Sequence, residues 1–224
     1  MDYSTLSKCS IFKDFSAADL RSVLEETPHH IQCYDKEELI FHQMEVADRI
    51  GIVLEGQVQA QKTFPNGSMI NVSIRFPGDL IGPAAVFSRN HHYPCDVSTV
   101  EPATIMMLRK DDLLALMQKD LRILENFTTE ISTATYMLQQ RLELFSYTGI
   151  AQKAAFWLLL RYQQSNSRII PIPGSVTKWA LRMNVSRPSL HRELGKMEKK
   201  GYIRYSSKQI EIIDADSLQN LLSE

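Results

Sequence analysis

Side chains that can bind a nucleic acid are concentrated between residues 184 and 205, which read NVSRPSLHRELGKMEKKGYIRY. From Arg168 to Lys208 the chain has ten basic residues and two acidic ones, although the formal net charge of the whole chain is only -1. Lysine and arginine neutralise phosphates, and an arginine also pairs with both acceptors of a guanine. The local charge therefore indicates that this segment binds double-stranded DNA.

The same segment has the signals of two helices joined by a sharp turn. Residues 176–183 have a helical pattern, and Asn184 tolerates the left-handed conformation of a tight corner. Ser186 is placed to cap the second helix by accepting a hydrogen bond from the amide of Ser189. Pro188 falls in the first helical turn, where a missing amide costs little. This arrangement presents its second helix to the major groove of DNA.

The second helix has an exposed basic face and a buried apolar stripe, and a two-stranded wing follows it. The stripe contains Leu190, Leu194 and Met197. The strands YIRY and QIEII, on either side of Ser206-Ser207-Lys208, form the wing. The residues expected to contact DNA are Ser186, Arg187, Ser189, His191, Arg192, Lys196, Lys178 and Arg204.

A β-rich region spans residues 30–109, because short apolar or alternating runs there are separated by turns that contain glycine. Asn66-Gly67, preceded by Pro65, predicts a tight hairpin turn in which both residues adopt positive φ. Evenly spaced short strands of this kind favour a small antiparallel barrel or roll.

A helical period begins at Asp111 and continues to about Phe145, and its apolar residues recur every three or four positions. This spacing is typical of a coiled-coil seam, so we expect the helix to pair with a second copy. The alternative is that the stripe packs on its own β-domain. Another helix follows, with Thr148 as its N-cap. The residues expected at the dimer interface are Leu124, Phe127, Ile131, Ala134, Leu138 and Phe145.

The sequence therefore predicts an α+β chain with three parts. An antiparallel β-roll occupies residues 1–110. A long dimerisation helix with a hinge occupies residues 111–146, and a winged helix-turn-helix DNA-binding domain occupies residues 147–224.

In these elements the sequence resembles the Crp/Fnr family of bacterial transcription regulators over nearly its whole length. The glycines of the roll agree in EGQV, PNGS and PGDLIG, and TGIAQ is similar to the family's hinge. The resemblance implies a cyclic-nucleotide-binding-like roll and a homodimer on a palindromic site. It also implies an effector in the roll that controls DNA affinity through the long helix, and contact with RNA polymerase if the protein is an activator.

Two positions of the second helix also match the family. Arg187 and Arg192 stand where family members place residues that contact bases and phosphates. Pro188 replaces a glutamate with which many members read cytosine, so we expect a different half-site.

The sensing residues differ from those of members that bind cyclic AMP. Such members resemble one another in Gly-Glu-Leu followed by Arg-Ser, whereas this chain has Gly82-Pro83-Ala84 and Tyr93-Pro94-Cys95. Without the glutamate and the arginine, the charge-assisted bonds to ribose and phosphate are lost, which argues against cyclic AMP. We expect a small, partly apolar effector in a pocket formed by Gly82, Pro83, Ala84, Tyr93, Pro94, Cys95 and Leu138.

Metal cofactors have weaker sequence support. Cys9, Cys33 and Cys95 do not supply four thiolates for an iron–sulfur cluster. His91, His92 and Cys95 raise the alternative of a haem- or metal-sensing member. Adjacent histidines on a strand point to opposite faces, so we expect no metal site there.

Two further classes compete with an effector-responsive regulator. A small β-barrel could be a metal-dependent oxygenase, but NHHYPCD lacks two histidines at i and i+2, so we expect no enzyme. The roll could also be a structural module, in which case DNA binding is independent of any effector.

The composition predicts a cytoplasmic protein with no membrane partner. The longest unbroken apolar run, residues 154–160, is far shorter than the roughly 20 residues of a membrane span. The N-terminal MDYSTLSKCS lacks the basic and then apolar pattern of a secretory signal. Three widely spaced cysteines suit a reducing compartment.

Overall fold

The computed structural model describes residues 3–64, 66–206 and 208–223, which form two compact units, Met1–Ala134 and Thr135–Glu224. Among these residues, no helix is both long and apolar enough to cross a bilayer. The helices are α1 (Tyr3–Leu6), α2 (Ala17–Glu25), α3 (Pro83–Phe87), α4 (Lys110–Lys119), α5 (Leu121–Ser146), α6 (Ile150–Ser165), α7 (Val176–Arg182), α8 (Arg187–Lys199) and α9 (Ala215–Leu221), with a 3₁₀ turn at Ser10–Phe12.

The strands pair in antiparallel fashion within each sheet. They are β1 (His30–Tyr34), β2 (Leu39–Phe41), β3 (Arg49–Glu55), β4 (Val58–Thr63), β5 (Met69–Arg75), β6 (Leu80–Ile81), β7 (Asp96–Thr99), β8 (Ala103–Arg109), β9 (Ile169–Pro171), β10 (Ile203–Tyr205) and β11 (Gln209–Ile212).

The first unit is the expected antiparallel roll. Its two four-stranded sheets have the orders β1-β8-β3-β6 and β2-β7-β4-β5. The apolar side chains of β3 and β8 are buried together with those of α2 and α4, and this core includes Ile50, Ile52, Ile105 and Leu108. The roll predicted from the glycine-punctuated strands is therefore confirmed.

The hairpin between β4 and β5 is confirmed, but its turn differs from the prediction. The amide of Phe64 donates to the carbonyl of Ser68, so three residues rather than two form the connection. Gly67 has φ +78°, and the side-chain oxygen of Asn66 accepts from the amide of Ser68 at 3.0 Å. Pro65, the first residue of the predicted turn, lies outside the described residues. A glycine in the left-handed region is what a three-residue hairpin loop requires.

The helical segment after the roll is divided in two at Asp120. This residue has extended backbone, with φ -133° and ψ 110°, so α4 ends before it and α5 begins after it. Its carboxylate accepts from the amide and the guanidinium of Arg122, and this pairing lowers the pKa of Asp120. The sequence predicted one continuous helix because apolar periodicity does not register a single capping residue.

The second unit contains the predicted winged helix-turn-helix, with two differences. The N-cap of α6 is Gly149 rather than Thr148, because the Gln152 side chain accepts from the Gly149 amide at 2.9 Å. The wing is a three-stranded sheet of order β10-β11-β9, so the prediction of two strands missed β9. Ser207, in the predicted turn of the wing, lies outside the described residues.

Candidate functional site

The turn between α7 and α8 has the backbone that its residues predict. Asn184 is left-handed at φ +53°, and the Ser186 hydroxyl accepts from the amide of Ser189 at 3.2 Å. Pro188 lies in the first turn of α8, so its missing amide leaves no helical bond unmade. The corner, the cap and the role of the proline are therefore confirmed.

Buried side chains hold α7 and α8 against α6. Trp179 of α7 is fully buried, and its ring centroid lies 4.7 Å from that of Trp157 in α6. Leu190, Leu194 and Met197 of α8 point into the same core, as expected. The polar face of α8 is thereby fixed outward on a rigid support.

The outward face of α8 is basic. Arg187, His191 and Arg192 are exposed, and within the described ranges neither arginine makes an ion pair. Lys196 is also exposed, with its ammonium 2.8 Å from the Glu193 carboxylate. The His191 ring packs edge-on against Tyr205 of β10 at 5.7 Å, which connects α8 to the wing. Unpaired guanidiniums on the exposed face of a helix suit the guanine acceptors of the major groove.

The remaining predicted DNA contacts lie around this face. Ser186 and Ser189 form the cap of α8, with 2.8 Å between their hydroxyl oxygens. Lys178 is exposed on α7. Arg204 on β10 is exposed but pairs with Glu211 on β11 at 2.6 Å. A phosphate therefore has to compete with Glu211 for Arg204, a pairing that the sequence does not reveal.

A cavity of about 280 Å³ opens in the first unit between the roll and α5. Residues of β5, β6, α3 and α5 line it, together with the segment that precedes β7. Most of the lining is apolar. Six of the seven residues predicted for the effector pocket line this cavity, namely Gly82, Pro83, Ala84, Tyr93, Pro94 and Cys95.

The seventh residue, Leu138, does not line the cavity. From α5 the lining residues are Glu130, Ile131 and Ala134. Leu138 lies one helical turn further along α5 and is 59% exposed. Its assignment to the pocket was wrong because the sequence does not specify at which turn α5 meets the roll.

Tyr93 forms a fixed wall of the cavity rather than a free polar contact. Its ring stacks on Phe41 with centroids 4.2 Å apart, and its hydroxyl donates to the Arg49 carbonyl at 2.6 Å. Burial raises the pKa of Tyr93 to about 12. Gly82, at φ +75°, faces this ring so closely that an added Cβ would lie 2.8 Å from Cε1 of Tyr93. A side chain at position 82 would therefore collide with the wall.

Two charged residues of the cavity were not predicted. Arg75 on β5 and Glu130 on α5 both line it, and Ser73 lies beside Arg75 on the same strand face. Alternation along β5 groups Ser73 with Arg75, but only the fold shows which face of the strand turns inward. Although the Arg-Ser pair of cyclic AMP binders is missing, the cavity therefore contains a guanidinium, which reaches it from another strand.

The histidines and the cysteine that suggested a metal are not brought together in one site. His91 and His92 are exposed, whereas Cys95 is buried in the cavity wall, where burial raises the pKa of its thiol. Across the described ranges, no group of three His, Cys, Asp or Glu side chains could hold a metal ion.

The predicted interface stripe on α5 changes environment along its length. Phe127 is only 7% exposed and Ile131 packs against the core of the first unit, so in this part of the helix the stripe covers its own domain. That outcome matches the alternative reading for Phe127 and departs from the dimer assignment. Leu124, Ala134, Leu138 and Phe145 are exposed. Leu142 is exposed as well and was missed, because Arg141 holds the ideal heptad position.

Models of two domain families match the chain in the order just described. The cyclic nucleotide-binding domain matches residues 31–120, and the Crp-like helix-turn-helix domain matches residues 152–221. The chain belongs to the Crp/Fnr family. As a Crp/Fnr protein, it is a transcription regulator with a cyclic-nucleotide-binding-type domain and a DNA-binding helix-turn-helix.

Individual relatives agree with this family over most of their length. The chain is 21% identical over 188 residues to the cyclic AMP receptor protein of Thermus thermophilus, which covers 84% of this chain and 86% of that protein. The crystal structure of the Thermus thermophilus catabolite activator protein has a TM-score of 0.55 at 19% identity, covering 96% of this chain and 98% of that one. A variant of CooA from Carboxydothermus hydrogenoformans has a TM-score of 0.54 at 14% identity, covering 99% and 97%. These structural likenesses show the shared Crp/Fnr fold.

Proposed function

We propose that this regulator binds a palindromic DNA site as a homodimer and that a small effector in the roll cavity controls its affinity. The observation that carries the proposal is the exposed, capped basic face of α8, with Arg187 and Arg192 free of ion pairs among the described residues. On a two-fold dimer, two such helices read half-sites about 34 Å apart.

Self-association is supported by the second half of α5. Leu138, Leu142 and Phe145 are 59%, 63% and 42% exposed and recur at spacings of four and three. Such a stripe is the pattern that pairs helices in coiled coils. Large apolar side chains repeated on one face are otherwise costly to leave in water.

Control by an effector is supported by the fact that α5 contributes both to the cavity and to the exposed apolar stripe. Glu130, Ile131 and Ala134 line the cavity, and the exposed stripe begins one turn later on the same helix. A ligand that contacts α5 in one dimer geometry more than in another shifts the equilibrium between the two geometries. The spacing of the recognition helices, and with it DNA affinity, then follows the ligand.

The proposed effector is not a cyclic nucleotide. The first turn of α3 has Pro83 and Ala84, which offer no carboxylate for a ribose hydroxyl. The Tyr93 hydroxyl is already engaged with the Arg49 carbonyl. A ribose placed beside α3 or Tyr93 would therefore find no carboxylate and no free hydroxyl donor there. We propose no iron–sulfur cluster and no enzymatic activity. Haem at His91, His92 or Cys95 stays the alternative, and an absorption spectrum of the purified protein decides it.

The test is selection from a random pool of DNA duplexes by the purified, ligand-free protein at near-physiological salt, because non-specific affinity falls steeply with salt. An enriched palindrome with half-sites one helical turn apart supports a homodimer that reads DNA without an effector. In that case the effector either releases the protein from DNA or has no influence on DNA binding. Weak binding at low salt without enrichment indicates that the effector is required. An enriched site without two-fold symmetry contradicts the homodimer. Contact with RNA polymerase, in the case that the protein is an activator, stays a prediction.

A further inference from the structure

The cavity of the first unit has two polar residues aligned on one strand. Ser73 and Arg75 are two positions apart on β5, opposite Ala60 and Val58 of β4, and both line the cavity. No bulge separates them in the pairing, so their side chains share a face. Neither side chain makes a hydrogen bond or an ion pair within the described ranges. A hydroxyl and a guanidinium are therefore free to donate to one ligand group.

The rest of the cavity limits where a charged ligand group can be placed. Arg75 is exposed, whereas Leu80, Ile81 and Val97 are buried lining residues. The guanidinium thus lies at the solvent side and the apolar wall lies deeper. Glu130 supplies a carboxylate from α5, which repels an anion near the helix. An anionic group is consequently favoured only beside β5.

We infer that the effector is a small amphiphile whose single carboxylate or phosphate binds Arg75 and Ser73 while its apolar body fills the cavity. This inference rests on the proposed function, in which the same cavity holds the effector. A head group at the solvent side keeps part of its hydration, so an exposed arginine is sufficient to hold it. A guanidinium suits both oxyanions because its fixed fork of donors matches their geometry.

One eight-carbon chain with three head groups tests the inference. The probes are octanoate, octyl phosphate and the neutral octanamide. Occupancy is read from Cys95, which lines the same cavity, as protection from alkylation by iodoacetamide followed by peptide mass spectrometry. In the native chain we expect one or both anions to protect Cys95 at a concentration roughly tenfold lower than octanamide needs. A hydrogen bond to a charged group is stronger than one to a neutral group by an energy that corresponds to roughly tenfold in affinity. The anion that protects better, octanoate or octyl phosphate, identifies carboxylate or phosphate as the preferred head group.

Variants assign the effect to its residue. Arg75→Met should raise the protecting concentration of the anions roughly tenfold and leave that of octanamide unchanged. Arg89→Met removes an exposed arginine of the same unit outside the cavity and should change neither value. Glu130→Gln should strengthen protection by the anions. The inference would be overturned if anions and amide protected equally, or if no probe protected Cys95. It would also be overturned if Arg75→Met left the protecting concentration of the anions unchanged.

The outcome is separable from that of the proposed function. Protection of Cys95 is measured without DNA, so its failure leaves the DNA selection result standing. A failed selection likewise leaves a positive protection result in place.

Discussion

Replacement of Gly82 by alanine is expected to destabilise the first unit more than the same replacement at Gly67. Both glycines are left-handed, at φ +75° and +78°, so each alanine meets the same backbone strain. An added Cβ at position 67 finds nothing within 4 Å, whereas at position 82 it lies 2.8 Å from Cε1 of Tyr93. The difference between the two variants therefore isolates the collision from the strain.

The magnitude follows from how firmly Tyr93 is held. Its ring is 1% exposed, stacks on Phe41 and is fixed at its hydroxyl by the Arg49 carbonyl. Overpacking of this kind costs about 1–3 kcal/mol. Left-handed alanine costs about 1–2 kcal/mol, part of which is offset by the smaller entropy of the unfolded chain. We expect Gly67→Ala to cost about 1 kcal/mol and Gly82→Ala about 2–4 kcal/mol.

The assay has to distinguish the two units. Both tryptophans, Trp157 and Trp179, lie in the second unit, so their fluorescence reports its unfolding. Hydrogen exchange of β3 amides in increasing urea, read by mass spectrometry, reports the first unit. We expect the β3 transition of Gly82→Ala to fall below that of Gly67→Ala. Equal transitions for the two variants would refute the reasoning that the Tyr93 ring cannot yield.

Three further predictions concern the dimer, the ligand and pH. Leu142→Glu should weaken the dimer at least a hundredfold, or about 2.7 kcal/mol, in analytical ultracentrifugation, since each interface then buries two carboxylates. Met137→Glu, about 140° away around α5, should not weaken it, and equal effects would exclude the stripe as the interface. Cyclic AMP should leave the melting temperature unchanged, because only a ligand that binds the native state raises it; a concentration-dependent rise would show that the cavity accepts the nucleotide. Burial raises the pKa of Cys9 to about 12, above its ordinary value of 9.0, so the folded thiol keeps a proton that the unfolded one loses. Stability of the first unit in urea should therefore fall from about pH 9 towards pH 12, and Cys9→Ala but not Cys33→Ala should reduce this slope; identical slopes would count against the burial.

Features decided by near neighbours in sequence could be predicted. The left-handed corner at Asn184, the Ser186 cap and the position of Pro188 each depend on residues within four positions. The glycine-punctuated strands likewise predicted the roll, because the alternation of apolar residues is local. The same reasoning failed where a nearby side chain supplied an unexpected cap, as at Asp120 and Gly149.

Features decided by tertiary pairing could not be predicted. Periodicity shows that α5 has an apolar stripe but not what covers it, and Phe127 is covered by its own domain. The place of Arg75 in the cavity depends on the register of β5 against β4, which shifts between Ala60 and Gln61. Arg204 lies on the predicted wing, but its partner Glu211 is set by the strand pairing.

The measurement that tests the central claim most directly is the affinity of Arg187→Ala for the selected duplex and for a scrambled duplex, by fluorescence anisotropy. If Arg187 reads a base, the variant should lose roughly 10–100-fold on the selected duplex and little on the scrambled one, with its dimer mass unchanged. Arg21→Ala, which removes an exposed arginine of α2, should bind both duplexes like the native protein. Full site preference in Arg187→Ala would contradict the assignment of α8 as the helix that reads DNA.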